Sequence, residues 1–261
     1  MKADYAVSTA RACKIISLER SGYYYISKRD DKEVEEKLRW YAEHYPARGC
    51  PFYTKRIRKE GYAWNKKRIR RVYIKLGMNK RKRKWKRRIP NPDKEVLLQP
   101  LAPNLCWSAD FMQDRLENGV KMRVLNIIDD YNREALACKV SSSFPSEHVV
   151  EQFEQLIEWH GKPFTIRTDN GTEFMAEAFQ KFCKRHQIKH LRIQKGKPMQ
   201  NGFCERFNRT LREDVLNAYL FETKTQMQEL INHWMEDYNQ NHPHSSLGDM
   251  SPREFKQRLI A

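Results

Sequence analysis

Apolar residues recur at helical spacing through the first eighty positions and switch to strand spacing after Cys106. Between Tyr5 and Leu18, Ala10, Cys13 and Ile16 recur every third residue, and Ser21-Gly22 then supplies a turn. Glu33 to His44 predicts a helix with Leu38 and Tyr41 on one face. Thr54 to Lys59 is a shorter helical stretch ended by Gly61. Asn65 caps a helix over Lys66 to Leu76, where Ile69, Val72, Tyr73 and Leu76 fall at i, i+3, i+4 and i+7. The opposite face carries Lys67, Arg68, Arg70, Arg71 and Lys75. Short helices, tight turns and one basic terminal helix predict a helix-turn-helix module.

From Cys106 the pattern alternates. Trp107, Ala109 and Phe111 interleave with Ser108, Asp110 and Met112, which is the period of a strand. Met122 to Asp129 is a second, more apolar strand and Ala135 to Val140 a third; their short links predict an antiparallel meander. Ser146 is the expected cap of a helix carrying Val149, Val150, Phe153, Leu156 and Ile157. A strand over Pro163 to Thr168, a helix over Ala176 to His186, a strand over Ile188 to Ile193, a long helix over Gln200 to Leu220 and a last helix over Thr225 to Asn239 follow. The order βββαβαβα implies an α/β domain, a mixed sheet flanked by helices.

Charge divides the chain in the same place. Residues 1–103 hold 29 Lys and Arg against 11 Asp and Glu, whereas residues 104–261 hold 21 against 22, so the whole excess behind the net charge of +17 lies in the first part. Four prolines between Pro90 and Pro103 mark a linker. The expected organisation is a short helical segment (1–30), a helix-turn-helix-like domain (31–78), a basic proline-containing linker (79–103) and an α/β domain (104–261). In the linker, Lys80, Arg81, Lys82, Arg83, Lys84, Trp85, Lys86, Arg87 and Arg88 place eight cations in nine residues. Such a run tracks a nucleic-acid backbone, with Trp85 available for stacking, and sets affinity rather than sequence choice. The charge excludes a generic metabolic enzyme and calls for a polyanionic partner. No apolar run reaches the length of a bilayer span and the first 25 residues lack a signal peptide's apolar stretch, so a cytoplasmic location is expected. Six cysteines without any C-x-x-C spacing predict reduced, mostly buried thiols.

Three acidic residues stand where acidity is awkward. Asp110 lies inside an apolar strand, Asp169 directly follows the fourth strand, and Glu205, with 35 residues between it and Asp169, opens the long helix. A carboxylate in mid-strand is costly to bury without a partner. No Arg or Lys alternates with Asp110 on its strand, so a cation from solution is the natural partner. An all-oxygen donor set suits Mg²⁺ or Mn²⁺, and two such ions serve phosphoryl transfer.

The strings Trp107-Ser-Ala-Asp110-Phe-Met, Asp169-Asn-Gly-Thr-Glu-Phe and Lys195-Gly-Lys-Pro-Met-Gln-Asn-Gly-Phe-Cys-Glu205-Arg-Phe-Asn resemble the three acidic blocks of bacterial insertion-sequence transposases of the retroviral-integrase superfamily. The stretch from Tyr238-Asn-Gln-Asn-His-Pro-His244 to Ser251-Pro-Arg-Glu-Phe is similar to the end block of the same family. The likeness spans roughly residues 105–257. Tyr41 to Leu76 resembles the helix-turn-helix that precedes the core in the downstream-frame product of two-frame elements. The resemblance implies a ribonuclease H-like core and a Mg²⁺-dependent transposase that cleaves and joins the ends of an insertion element. Asp110, Asp169 and Glu205 are then the catalytic, metal-holding triad, with two ions. Arg209 and Arg212, four and seven residues past Glu205, are expected at the DNA end, with Asn201 and Lys197 beside them; Lys67, Arg68, Arg71 and residues 80–88 are the expected DNA contacts of the first module. His242 departs from the family's usual arginine. Expected partners are the element's inverted repeats, target DNA, further copies of the chain in a synaptic complex and the upstream-frame product; the expected location is the bacterial nucleoid.

Other readings of single residues are structural. Asp129 and Asp130 begin a turn with Asn132, Glu173 caps a helix, His160, His186 and His190 pack or face solvent, and Trp107 and Phe111 belong to the core. Two other functions use the same residues: a catalytically silent DNA-binding regulator, and a nuclease acting on RNA–DNA hybrids. Neutralising Lys80 to Arg88 should weaken binding to all duplexes alike and flatten its salt dependence, read by titration at several salt concentrations; a loss confined to one duplex sequence would contradict a backbone role.

Overall fold

The computed structural model describes residues 7–25, 30–79, 97–194 and 198–258; the whole basic run Lys80 to Arg88 and Lys197 lie outside these residues. Five helices come first: α1 (Thr9–Ile15), α2 (Arg20–Tyr24), α3 (Lys32–His44), α4 (Cys50–Lys59) and α5 (Lys66–Lys75). Val34, Leu38 and Tyr41 of α3 pack on Tyr53 and Ile57 of α4 and on Ile69, Val72 and Tyr73 of α5, a core of fully buried side chains. The Asn65 side chain accepts from the Lys67 amide at 2.8 Å and caps α5, as its sequence predicts. The helix over Thr54 to Lys59 extends back to Cys50, because Gly49 and Pro51 start it a turn earlier.

A five-stranded sheet follows, built from β1 (Cys106–Arg115), β2 (Lys121–Asp129), β3 (Ala135–Ser141), β4 (Thr165–Thr168) and β5 (Lys189–Arg192). Its order is β3-β2-β1-β4-β5. The first three strands are antiparallel, β4 runs parallel to β1 and β5 parallel to β4. The expected mixed sheet with an antiparallel meander is therefore present.

Period-two alternation assigns the faces. Trp107, Ala109, Leu125, Ile127 and Ile166 point to one layer, made by α6 (Ser146–His160), α7 (Thr172–Met175) and α8 (Glu177–Arg185). Met112, Met122, Val124 and Ile128 point to the other, where α9 (Gly202–Leu211) and α10 (Lys224–Asn241) bring Cys204, Phe207, Leu211, Met227 and Ile231. A final helix, α11 (Pro252–Gln257), is fixed by a reciprocal capping box between Ser251 and Glu254.

Two local expectations are corrected. Ser146 is the first helical residue rather than the cap; its hydroxyl donates to the Glu173 carbonyl at 2.8 Å, and Pro145 occupies the cap. The helix expected over Gln200 to Leu220 is instead a 3₁₀ turn (Pro198–Asn201), α9, and a π-helical turn (Arg212–Leu216). The wide turn rotates Asp214 inward, where it is buried and meets Arg48 of the helical module.

Arg48 donates Nε and an NH₂ group to the two Asp214 oxygens at 2.7 and 2.6 Å, and Trp234 Nε1 adds a donor at 3.3 Å. Arg56 forks onto Asp237 of α10 at 2.9 and 3.1 Å. These bidentate pairs lock the helical module to the helices of the α/β domain. Asp214→Ala leaves the mostly buried Arg48 with only the exposed Glu213, 3.9 Å away. It should cost about 3–5 kcal/mol and lower the thermal midpoint, with α3 to α5 becoming the more protease-sensitive part; an unchanged midpoint would mean that the pair contributes nothing to docking.

Candidate active site

Asp110 sits on the α9 face of β1, because its neighbours Ala109 and Phe111 take the other side. Its register partner across the antiparallel pair is Asn126 of β2. The parallel register pairs Ser108 with Arg167, so its continuation by two residues sets Asp169 beside Asp110, just past the end of β4. Glu205 enters from the first turn of α9. The outcome is a cavity of about 490 Å³ lined by Asp110, Asp169, Asn170, Gly171, Asn201 and Glu205, among others. Among the described residues no three His, Cys, Asp or Glu side chains form a closed metal cluster. The three carboxylates face one space without meeting at a point, and Glu205 is exposed.

Each of the two strand-borne acids is held by hydrogen bonds. Asp110 Oδ1 accepts from the Phe111 amide at 2.9 Å and Oδ2 from Asn208 Nδ2 at 2.8 Å. Asn208 in turn accepts from Asn126 Nδ2 at 2.8 Å. Asn126 is fully buried, so a relay of two amides runs from the sheet interior to the carboxylate. Asp169 Oδ1 accepts from the Gly171 amide at 3.0 Å. A Cβ on Gly171 would stand 3.0 Å from that oxygen and 3.2 Å from Glu173 Oε2, so glycine is needed there for closeness, not for its torsion angles. Burial raises the Asp110 carboxyl to about 6, and the neighbouring charges of Asp169 and Glu205 add to the rise against the two hydrogen bonds.

The other expected contacts are spread out. Asn201 is buried and lines the cavity, and its Oδ1 has no hydrogen-bond partner. Arg209 is exposed on α9. Arg212 begins the π turn and donates to the Gln113 carbonyl at 2.9 Å, at the far end of β1. Arg68 and Arg71 both pair with Asp31, at 3.0 and 2.9 Å, whereas Lys67 is exposed.

The residues given structural readings resolve individually. Asp129 ties the turn by accepting from the amides of Tyr131 and Asn104, each at 2.8 Å. Asp130 is a buried ion-pair partner of Arg167 at 2.5 Å. Glu173 pairs with Arg123 rather than capping a helix, a pairing that lowers its carboxyl although burial alone would raise it. His190 lies between Thr168 and Gln180 and is lowered to about 4 by burial. Trp107 is fully buried, and the six cysteines are free, five of them buried. Asn208, Asn126 and Gly171 were missed as site residues. Asn208 was accessible from spacing alone, since it follows Glu205 by three positions on the same helix.

Profiles described as "Integrase core domain" match residues 100–198 and 186–252. A 31.7 kDa protein of insertion element IS407 from Burkholderia multivorans, itself described as uncharacterized, is 33% identical over 98% of this chain and 93% of its own length. The transposase for insertion sequence element IS904 of Lactococcus lactis is 25% identical over 86% of this chain and 93% of its own. Among solved structures, a chain of the simian T-cell lymphotropic virus intasome in complex with PP2A regulatory subunit B56 gamma superposes with a TM-score of 0.51 at 19% identity, over 64% of this chain and 60% of that one, a likeness of fold. The mixed sheet, the acidic cavity and these matches together establish that the chain belongs to the bacterial insertion-sequence transposases of the integrase superfamily.

Proposed function

We propose that the transposase cleaves DNA at the ends of its element and transfers the freed strand with Asp110, Asp169 and Glu205 as its metal-holding acids. The observation that carries the reading is their convergence from β1, the end of β4 and the start of α9 on one cavity. The donor set fits a hard divalent cation such as Mg²⁺ or Mn²⁺: it is all oxygen, the neighbouring acids add to the raised proton affinity of Asp110, and the buried Asn201 Oδ1 faces the same space without a partner. When bound, such ions supply an activated oxygen nucleophile and neutralise the leaving oxygen.

The chain's own contribution is positioning. Asn208 and the Phe111 amide fix Asp110, and the Gly171 amide fixes Asp169, before DNA arrives. Arg209 and Arg212, with Asn201 and Lys197, flank the DNA end. Lys67 and residues 80–88 hold the flanking duplex; Arg68 and Arg71 contribute less, since Asp31 already neutralises them. Joining two ends at a target requires more than one copy of the chain.

Purified protein incubated with labelled element-end duplexes and Mg²⁺ should yield cleaved and strand-transferred products. Asp169→Asn should yield neither while still shifting the DNA. Shifted DNA without products from the unmutated chain would favour a silent regulator, and selective cutting of RNA–DNA hybrids a ribonuclease. Asn208→Ala should retain the fold and lower the rate by roughly 10–100-fold, with a higher Mg²⁺ requirement, since partners behind a metal ligand carry about that weight. An Asn208→Ala rate and Mg²⁺ dependence equal to those of the unmutated chain would remove the amide relay from the mechanism.

A further inference from the structure

Helix α9 has a second working face. Glu205 lines the acidic cavity and Asn208 bonds Asp110, whereas Phe203, Arg206, Phe207 and Thr210 recur at three- and four-residue spacing along another side. That side lines a cavity of about 440 Å³ between the helical module and the α/β domain. Arg48 enters it from the helical module, Arg133 from the β2–β3 turn, and His244 and Ser245 from the segment after α10.

The charge in this cavity is unbalanced. Arg48 is matched by Asp214. Arg133 is not. It is 7% exposed, its backbone is left-handed at φ 65°, and its guanidinium lies 3.5 Å from the centroid of the Phe203 ring. Among the described residues the guanidinium makes one hydrogen bond, a long one of 3.4 Å to the Tyr131 carbonyl. Among the described residues neither Arg133 nor Arg206 has a carboxylate within ion-pair distance. Arg206 is exposed, but the Arg133 guanidinium is taken out of water with Asp130 acting on it only from beyond ion-pair distance, which is costly, and the left-handed backbone that maintains it points to use. His244 supplies an independent sign: its Nε2 is buried without a hydrogen-bond partner. Burial drives the His244 ring down to about 3, and the charges that push it further are Arg133, Arg206, Arg48 and Lys55, every one positive. Cations, a spare ring nitrogen and the hydroxyl of Ser245, which accepts from Lys55 and keeps its own hydrogen, form a donor set that matches phosphate oxygens.

We infer that this cavity binds a backbone phosphodiester of the DNA strand, at a site separate from the acidic cavity and served by the same helix. The inference rests on the proposed function for the identity of the strand. A nucleic-acid strand is the favoured source over a free anion because Arg206 adjoins Glu205 in sequence and the space, walled by Phe203 and Tyr238, exceeds what one phosphate needs.

Binding is measured on the full chain carrying Asp169→Asn, without divalent metal, so that the result does not depend on the acidic site. Fluorescence anisotropy of a labelled element-end duplex should weaken about tenfold on adding Arg206→Gln, and the salt slope should fall by about one. Arg185→Gln, on α8 and paired with Glu154, should change neither. A single methylphosphonate, scanned along the duplex, should at one position cost the Asp169→Asn chain a similar factor and cost the Arg206→Gln chain nothing more. Unchanged duplex affinity and slope in Arg206→Gln would overturn the inference. Sodium phosphate raising the thermal midpoint above sodium chloride of equal ionic strength, in a manner lost in Arg206→Gln while duplex affinity is kept, would assign the cavity to a free anion and equally overturn it. Loss of DNA cleavage by the unmutated chain, with this binding pattern intact, would instead count only against the chemistry proposed for the acids.

Discussion

The architecture turns on one costly placement, a carboxylate in the middle of a sheet. Asp110 occupies a β1 position whose neighbours are apolar, and burial raises its proton affinity. Most of what surrounds it serves to keep it there. The antiparallel pairing places Asn126 opposite, α9 lays Asn208 across both, and the parallel pairing with β4 brings Asp169 alongside. Shifting the β1 register by one residue would turn Asp110 into the aromatic layer around Phe153 and Phe179 and disband the group at once. The heavy apolar packing on both sheet faces is what holds that register.

Much of this was legible in the chain itself. Alternation around Asp110 and the apolar run of β2 fixed which strands exist, and the three short strings around the acids carried the family likeness. Less accessible was whatever depends on a contact between distant segments. Asp214 reads as a surface residue on an uninterrupted helix; only the π turn, which has no sequence signature, brings it to Arg48, 166 positions away. Glu173 reads as a helix-opening acid because Arg123, its partner, lies two strands earlier. Ser146 failed as a cap because a carbonyl across the layer competed for its hydroxyl. Asn208 is the exception, an uncharged residue passed over although its spacing from Glu205 was in plain view.

Charge separates along the sequence but not in space. The helical module carries an excess of cations, yet Arg48, Arg56, Lys55 and Lys59 spend theirs on Asp214, Asp237, Asp249 and Glu254 of the following domain. The near-neutral second domain is thus neutral partly because its acids serve as docking points. Among the described residues Lys67, Arg206 and Arg209 are exposed and form no ion pair, which leaves them, with the basic stretch between the modules, for a polyanion.

The π turn after α9 has a mechanical corollary. Glu205 and Asp214 lie on one unbroken helical rod, nine residues and roughly 13 Å apart along its axis. One end projects a carboxylate toward the acidic cavity, and the other is gripped by the guanidinium of a different module. The seating of the helical module at Asp214 and the presentation of Glu205 are thus set through one and the same helix.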